Sequence, residues 1–133
     1  MNCAGAATVI FDTDVLVWIS KGNEKVTKMV SKSPQRYISI MTRMEMLQGT
    51  RNRADLSLVE SFITDYDFIV LPLTENIGHR ALIYVEEYSL GHGLRADDAI
   101  IAATAVENNL PLCSFNVKHY NPIKDLKFHP LHV

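Results

Sequence analysis

Apolar and polar positions divide this chain into two kinds of segment. Four short runs, Thr8–Phe11, Tyr37–Ile40, Phe68–Leu71 and Leu112–Phe115, are apolar or β-branched and bounded by polar or turn-forming residues, which predicts buried strands. A fifth short strand is predicted near Leu126–Phe128. Helical patterns lie between them: Val15–Ser20, Glu24–Ser33 ending before Pro34, Thr42–Gly49 and Leu56–Tyr66. From Glu75 to Leu90, the residues Ile77, Ala81, Leu82, Val85 and Tyr88 recur on one helical face, and Gly91 and Gly93 close the segment. Asp97–Asn109 predicts one more helix. Nearly every residue from Ala99 to Val106 is apolar or small, so this helix is expected to be buried on more than one side.

Strands that alternate with helices predict a parallel sheet between helix layers, a three-layer α/β/α sandwich. No repeat, low-complexity tract or Pro/Gly linker interrupts the 133 residues. Residues 1–133 therefore read as one domain, long enough to bury its own core. In such sheets ligands sit beyond the carboxyl ends of the strands, where the strand order reverses. Asp12 falls at one such end.

Composition narrows the classes. A hydrophobic share of 47% excludes a disordered chain. A formal net charge of −2 excludes a grossly cationic surface but leaves room for local basic faces. Cys3 and Cys113 offer no metal-binding spacing and read as free thiols in a reducing compartment. No run approaches the ~20 apolar residues of a spanning helix, and no basic segment precedes the first apolar stretch. The expectation is a soluble cytoplasmic protein without a membrane partner. His79, His92, His129 and His132 show no ligand spacing.

Chemistry-bearing residues gather at element ends. Asp12 and Asp14 stand in VIFDTDVL, Glu45 in IMTRMEML, Asp97 and Asp98 in LRADDAIIAATA, and Asn116 with His119 in SFNVKHY. Each admits a local structural role. Asp12 can cap the first helix, Thr42 and Glu45 form a T-x-x-E capping box, Asp97 can cap the apolar helix behind it, and Asn116 suits a turn. Their joint placement points elsewhere. Glu45 sits between Met44 and Met46-Leu47 on a helix expected to have little solvated surface, and Asp98 opens a helix expected to be buried. Buried carboxylates are costly unless paired or bound to a cation, and oxygen-only ligands suit Mg²⁺ or Mn²⁺.

The pieces VIFDTDVLVW, ISIMTRMEMLQG and LRADDAIIAATAVENNLPLCSFNVKHY, in this order, resemble PIN domains and, among them, VapC-type toxins of bacterial toxin–antitoxin pairs. The resemblance implies an RNA endonuclease. It makes Asp12 the first metal ligand, Glu45 the second and Asp98, directly before Ala99-Ile100-Ile101-Ala102, the third. Neighbouring helical residues point about 100° apart, so Asp97 and Asp98 cannot fill one ligand position and Asp97 is assigned to capping; by the resemblance Asp14, where the family often has a small polar residue or another acid, supports the ligands. Many family members carry an acid where this chain has Asn116 or His119. That departure favours a single Mg²⁺, or a pair completed by substrate.

An RNA substrate must approach an acidic cleft, so nearby cations are needed. Arg43, Arg51, Arg53 and Arg95 flank the expected site in sequence, Lys118 follows Asn116, and Arg51-Asn52-Arg53 is the leading backbone contact. Thr13 and Ser114 are placed to hydrogen-bond a ligand or an acid. No aromatic interleaving suggests base stacking, which puts target choice on RNA shape. Trp18, Met44, Met46, Leu47, Leu56, Leu58, Val59 and Phe62 read as core. By the resemblance, part of this set forms a groove for a cognate antitoxin and part a homodimer face.

Two other readings compete. A haloacid-dehalogenase-like phosphatase also places D-x-D after a first strand, with Asp12 as nucleophile and Asp14 as acid/base. Against it, Val15-Leu16-Val17 stands where that family usually has a Thr, the chain is short, and Asp97-Asp98 opens a helix rather than following a strand. A PIN-like binding module without catalysis is supported by the missing fourth acid and opposed by three intact ones.

Overall fold

The protein is described by a computed structural model over residues 8–132. Its strands are β1 (Val9–Phe11), β2 (Arg36–Ser39), β3 (Phe68–Leu71), β4 (Leu112–Ser114) and β5 (Phe128–Pro130). They form one sheet in the order β3-β2-β1-β4-β5, and every pairing is parallel. Ile10 of β1 registers with Tyr37 on one side and Leu112 on the other. Parallel strands need crossovers. These are supplied by α1 (Thr13–Ser20), α2 (Glu24–Ser31), α3 (Ile40–Gln48), α4 (Arg53–Asp65), α5 (Glu75–His92), α6 (Ala96–Glu107) and the one-turn α7 (Val117–Tyr120).

The core divides into two bodies, one on each sheet face. One joins Val9 and Phe11 to Val15, Leu16 and Ile19 of α1 and to Val26 and Val30 of α2. The other joins Ile10 and Leu112 to α5, α6 and Tyr120. The split follows from the strand period of two: Val9 and Phe11 face one layer and Ile10 the other. α6 is buried at Ala99 and from Ile101 to Ala105, as its run of small side chains requires. Gly93 ends α5 at φ 71°, the left-handed position that costs glycine nothing.

Several boundaries differ from expectation for local reasons. α1 begins at Thr13, directly after Asp12, which is its N-cap. α3 begins at Ile40 with Ser39 as its cap: Ser39 Oγ accepts from the Met41 amide at 3.0 Å. Thr42 is thus inside the helix and the T-x-x-E capping box does not form. α3 is also more solvated than expected, with Met44 44% exposed. The N-cap of α6 is Arg95, without a side-chain bond, so Asp97 lies in the first turn instead of capping it. The expected turn after β4 is α7, and the last strand falls two residues later than predicted. Cys113 is buried and is not a free thiol, against expectation, while Cys3 lies outside the described residues. Among the described residues no helix is long and apolar enough to cross a membrane.

Ile101 is 1% exposed and Leu90 fully exposed. Ile101→Ala is expected to lower unfolding free energy by about 2–5 kcal/mol, and Leu90→Ala by no more than about 0.5 kcal/mol. Urea denaturation followed by circular dichroism checks both.

Candidate active site

The chain leaves β1 to build β2 and β3 on one side, then returns to place β4 on the other side of β1. The strand order therefore reverses between β1 and β4, and a crevice opens beyond their carboxyl ends. Asp12 follows β1 at this point, and the segment Ser114–Asn116 closes β4 beside it. Backbone bonds lock the two ends together: the Asp12 amide donates to Cys113 O at 3.0 Å.

Around this point the structure gathers the predicted residues. Asp12 Oδ1 accepts from the Thr13 amide at 2.8 Å, and its Oδ2 accepts from Ser114 Oγ at 2.7 Å. Ser114 Oγ also lies 3.1 Å from Asp14 Oδ2, which accepts from the Phe115 amide at 3.0 Å. A hydroxyl carries one proton, so Ser114 cannot donate to both carboxylates at once. Asp14 Oδ1 is buried without a hydrogen-bond partner. Glu45 Oε1 accepts from Thr13 Oγ1 at 2.6 Å, and Thr42 Oγ1 lies 3.0 Å from the same hydroxyl. Asp98 Oδ2 lies 2.8 Å from His119 Nδ1, and Tyr120 reaches Asp98 Oδ1 at 3.4 Å.

The electrostatics are those of acids held without lysine or arginine counter-ions, with His119 beside Asp98 as their one basic neighbour among the described residues. Burial pushes the Asp12 carboxyl up to about 8, with the charge of Asp14 adding to the effect. Burial likewise pushes Asp14 up to about 6 and Glu45 to about 7, the latter helped by Asp97 beside it. Asp98 is raised by burial and then by Asp97. Among the described residues none of Asp12, Asp14, Glu45 or Asp98 bonds a lysine or arginine. Asp97 is the residue that sequence reasoning placed elsewhere: it lies against Glu45, and its Oδ1 accepts from the Asp98 amide at 2.9 Å. The adjacent double acid was its only sequence signal.

The donor set fits a hard divalent cation in kind. It is all oxygen, no lysine or arginine compensates it, and beside it Asp14 Oδ1 is a buried carboxylate oxygen without a hydrogen-bond partner. As the side chains stand, no group of three or more Asp, Glu, His or Cys among the described residues is arranged to hold a metal. Glu45 is turned onto Thr13 and Asp98 onto His119. Chemistry and present orientation thus agree on which residues are involved but not on a closed coordination shell.

The basic residues divide. Arg43 is turned away: it pairs with Glu60 at 2.7 Å and lines an open cavity of about 640 Å³ with Arg36 and Asp67. Arg51 pairs loosely with Asp55 at 3.3 Å and remains 86% exposed in its side chain. Arg95 lies 3.9 Å from Asp97, and Arg53 and Lys118 are exposed. A second hollow, of about 360 Å³, opens beside Glu45 between Thr13, Val17, Met46, Leu58 and Val59. Trp18, which sequence reasoning placed in the core, is partly exposed and packs against Phe115 with ring centroids 5.9 Å apart.

Raised carboxyl values carry a stability consequence. The folded chain binds these protons more tightly than the unfolded chain does. Stability from this source is full below the ordinary carboxyl range near 4 and is lost as pH rises through about 6 to 8. The metal-free protein is therefore expected to melt lower at pH 8 than at pH 5.5. Asp12→Asn is expected to recover on the order of 1–2 kcal/mol at pH 8, a few degrees in Tm. A fluorescence melt at both pH values in chelator tests this; an identical pH slope in the variant refutes it.

A family model of the PIN domain matches residues 9–122. No protein of curated function matches the chain by sequence. Among solved structures, a toxin–antitoxin complex from Klebsiella pneumoniae is similar at 25% identity and TM-score 0.75, over 90% of this chain and 95% of that one. VapBC-1 from nontypeable Haemophilus influenzae is similar at 22% identity and TM-score 0.76, over 93% and 98%. VapBC2 from Rickettsia felis bound to a promoter DNA fragment is similar at 17% identity and TM-score 0.74, over 93% and 98%.

Proposed function

This chain belongs to the PIN domain family, and from that premise we propose that it is a divalent-metal-dependent endoribonuclease, the toxin half of a toxin–antitoxin pair of the VapBC kind. PIN domains are generally nucleases. Membership in the family removes the phosphatase alternative. The observation that carries the reading is the gathering of Asp12, Asp14, Glu45 and Asp98 at the β1/β4 reversal without a bond to a lysine or arginine among the described residues and with Asp14 Oδ1 unpartnered.

Asp12, Glu45 and Asp98 are the residues that would hold Mg²⁺ or Mn²⁺. When bound, the cation supplies positive charge against the phosphate and acidifies a water. The chain's own groups do the rest. Where Glu45 is not itself a ligand, its carboxylate takes a proton from the attacking water as the new P–O bond forms and the bridging P–O bond breaks. It then returns the proton to the leaving oxygen. The Thr13 hydroxyl orients Glu45, and Ser114 holds Asp12 and Asp14 against the strand ends. Arg51, Arg53, Arg95 and Lys118 contact the phosphate backbone. Arg43 is committed to Glu60, so it contributes least.

The structural neighbours include antitoxin complexes, among them one at 25% identity. The hollow beside Glu45, with Leu58 69% exposed at its rim, supports an apolar antitoxin segment seated there. Leu82, Ile83 and Leu90, exposed on α5, support a homodimer.

Asp98→Asn is expected to lower cleavage of a mixed structured RNA pool in Mg²⁺ or Mn²⁺ by on the order of 10²-fold or more, and Glu45→Gln by about 10²–10⁴-fold. EDTA is expected to abolish cleavage by the parent protein. Equal cleavage by parent and Asp98→Asn would sink the site assignment. A folded parent that binds Mn²⁺ and RNA without cutting would establish the non-catalytic module instead. Replacing Arg51 and Arg53 together by Ala is expected to weaken RNA binding uniformly across sequences and to flatten its salt dependence by about one unit per lost contact.

A further inference from the structure

We propose that His119 is a positioning residue, holding the Asp98 carboxylate for a divalent cation through a hydrogen bond from Nδ1 to Oδ2. The inference rests on the reading of this site as a metal centre and adds a residue to it.

The four acids are anchored unequally. Asp12 accepts from a backbone amide and from Ser114, Asp14 from the Phe115 amide, and Glu45 from Thr13 at 2.6 Å. Asp98 enters from α6, in the helix layer across the sheet from α1. Its only short side-chain bond among the described residues is to His119 at 2.8 Å, because Tyr120 at 3.4 Å is too distant to fix an oxygen strongly. Without His119 the carboxylate of Asp98 loses its shortest side-chain bond.

His119 is itself held by the β4–α7 corner. Asn116 opens α7, its Oδ1 accepts from the His119 amide at 3.4 Å, and its own amide donates to Ser114 Oγ at 3.0 Å. Ser114 in turn bonds Asp12. One continuous path of bonds therefore runs from Asp12 through Ser114, Asn116 and His119 to Asp98, and it links the two ends of the proposed donor set.

Nδ1 also lies 3.0 Å from Asn116 Nδ2, and it serves one partner at a time. With the ring N–H at Nδ1 turned to Asp98 Oδ2 at 2.8 Å, His119 fixes one carboxylate oxygen and leaves the other for the metal. Partners of metal-ligating groups are typically worth 10–100-fold in metal affinity.

The test uses the full chain and Mn²⁺ counted by electron paramagnetic resonance, with a thermal melt to confirm folding. His119→Ala is expected to weaken Mn²⁺ binding by about 10–100-fold. His119→Asn places an amide nitrogen the same number of bonds from Cα as Nδ1 and is expected to restore most of the affinity. His119→Gln places its nitrogen at the distance of Nε2 and is expected to resemble Ala. Unchanged affinity in Ala, or equal affinity in Asn and Gln, overturns the positioning role and leaves the metal centre standing. The Asn and Gln comparison decides the matter if the Ala variant fails to fold. Absence of Mn²⁺ binding by the parent overturns the metal reading, and this inference with it.

Discussion

Mutual repulsion among carboxylates gathered at one end of a parallel sheet is the constraint on which the rest of this structure depends. Burying even one ionised acid is expensive, and here Asp12, Asp14, Glu45 and Asp98 meet without a lysine or arginine among them. The fold accepts this cost because the surrounding layers are strongly apolar. β1 is buried along its whole length, and α6 is a helix of small side chains packed against the sheet. The two cores supply the stability that the acidic end withdraws.

The polar residues around the acids are arranged to meet that cost only in part. Ser114 bridges Asp12 and Asp14 with one proton, Thr13 fixes Glu45, and backbone amides at the start of α1 and the end of β4 take further oxygens. What remains is a set of carboxyls whose affinity for protons is raised by burial and by one another. A cleft in this state favours whatever brings positive charge, whether protons or a divalent ion. That is why the same residues account for an acid-shifted stability and for the proposed metal site.

Placement of the basic residues follows from helix geometry more than from sequence proximity. Arg43 is two residues from Glu45, yet residues two apart on a helix point to different sides. Arg43 therefore reaches Glu60 of α4 while Glu45 reaches Thr13 of α1. Arg51 before α4 and Arg53 at its first position keep their exposure, Arg95 caps α6, and Lys118 is exposed on α7.

The sequence by itself determined the parallel α/β architecture, because the alternation of apolar runs and helical periods leaves few other ways to bury both sheet faces. It also marked Asp12, Glu45 and Asp98, through their joint placement at element ends and the resemblance of the motifs around them to PIN domains. Local signals competed where they were cheap to satisfy. Thr42 and Glu45 spell a capping box, yet Ser39 caps the helix, and Asp97 spells an N-cap, yet Arg95 occupies that place. Only the tertiary structure decided which hydroxyl serves which acid, that Asp97 lies beside Glu45, and that His119 reaches Asp98. Those contacts join residues 21 to 102 positions apart. Their partners are fixed by the order in which strands pair, a long-range property that no local pattern encodes.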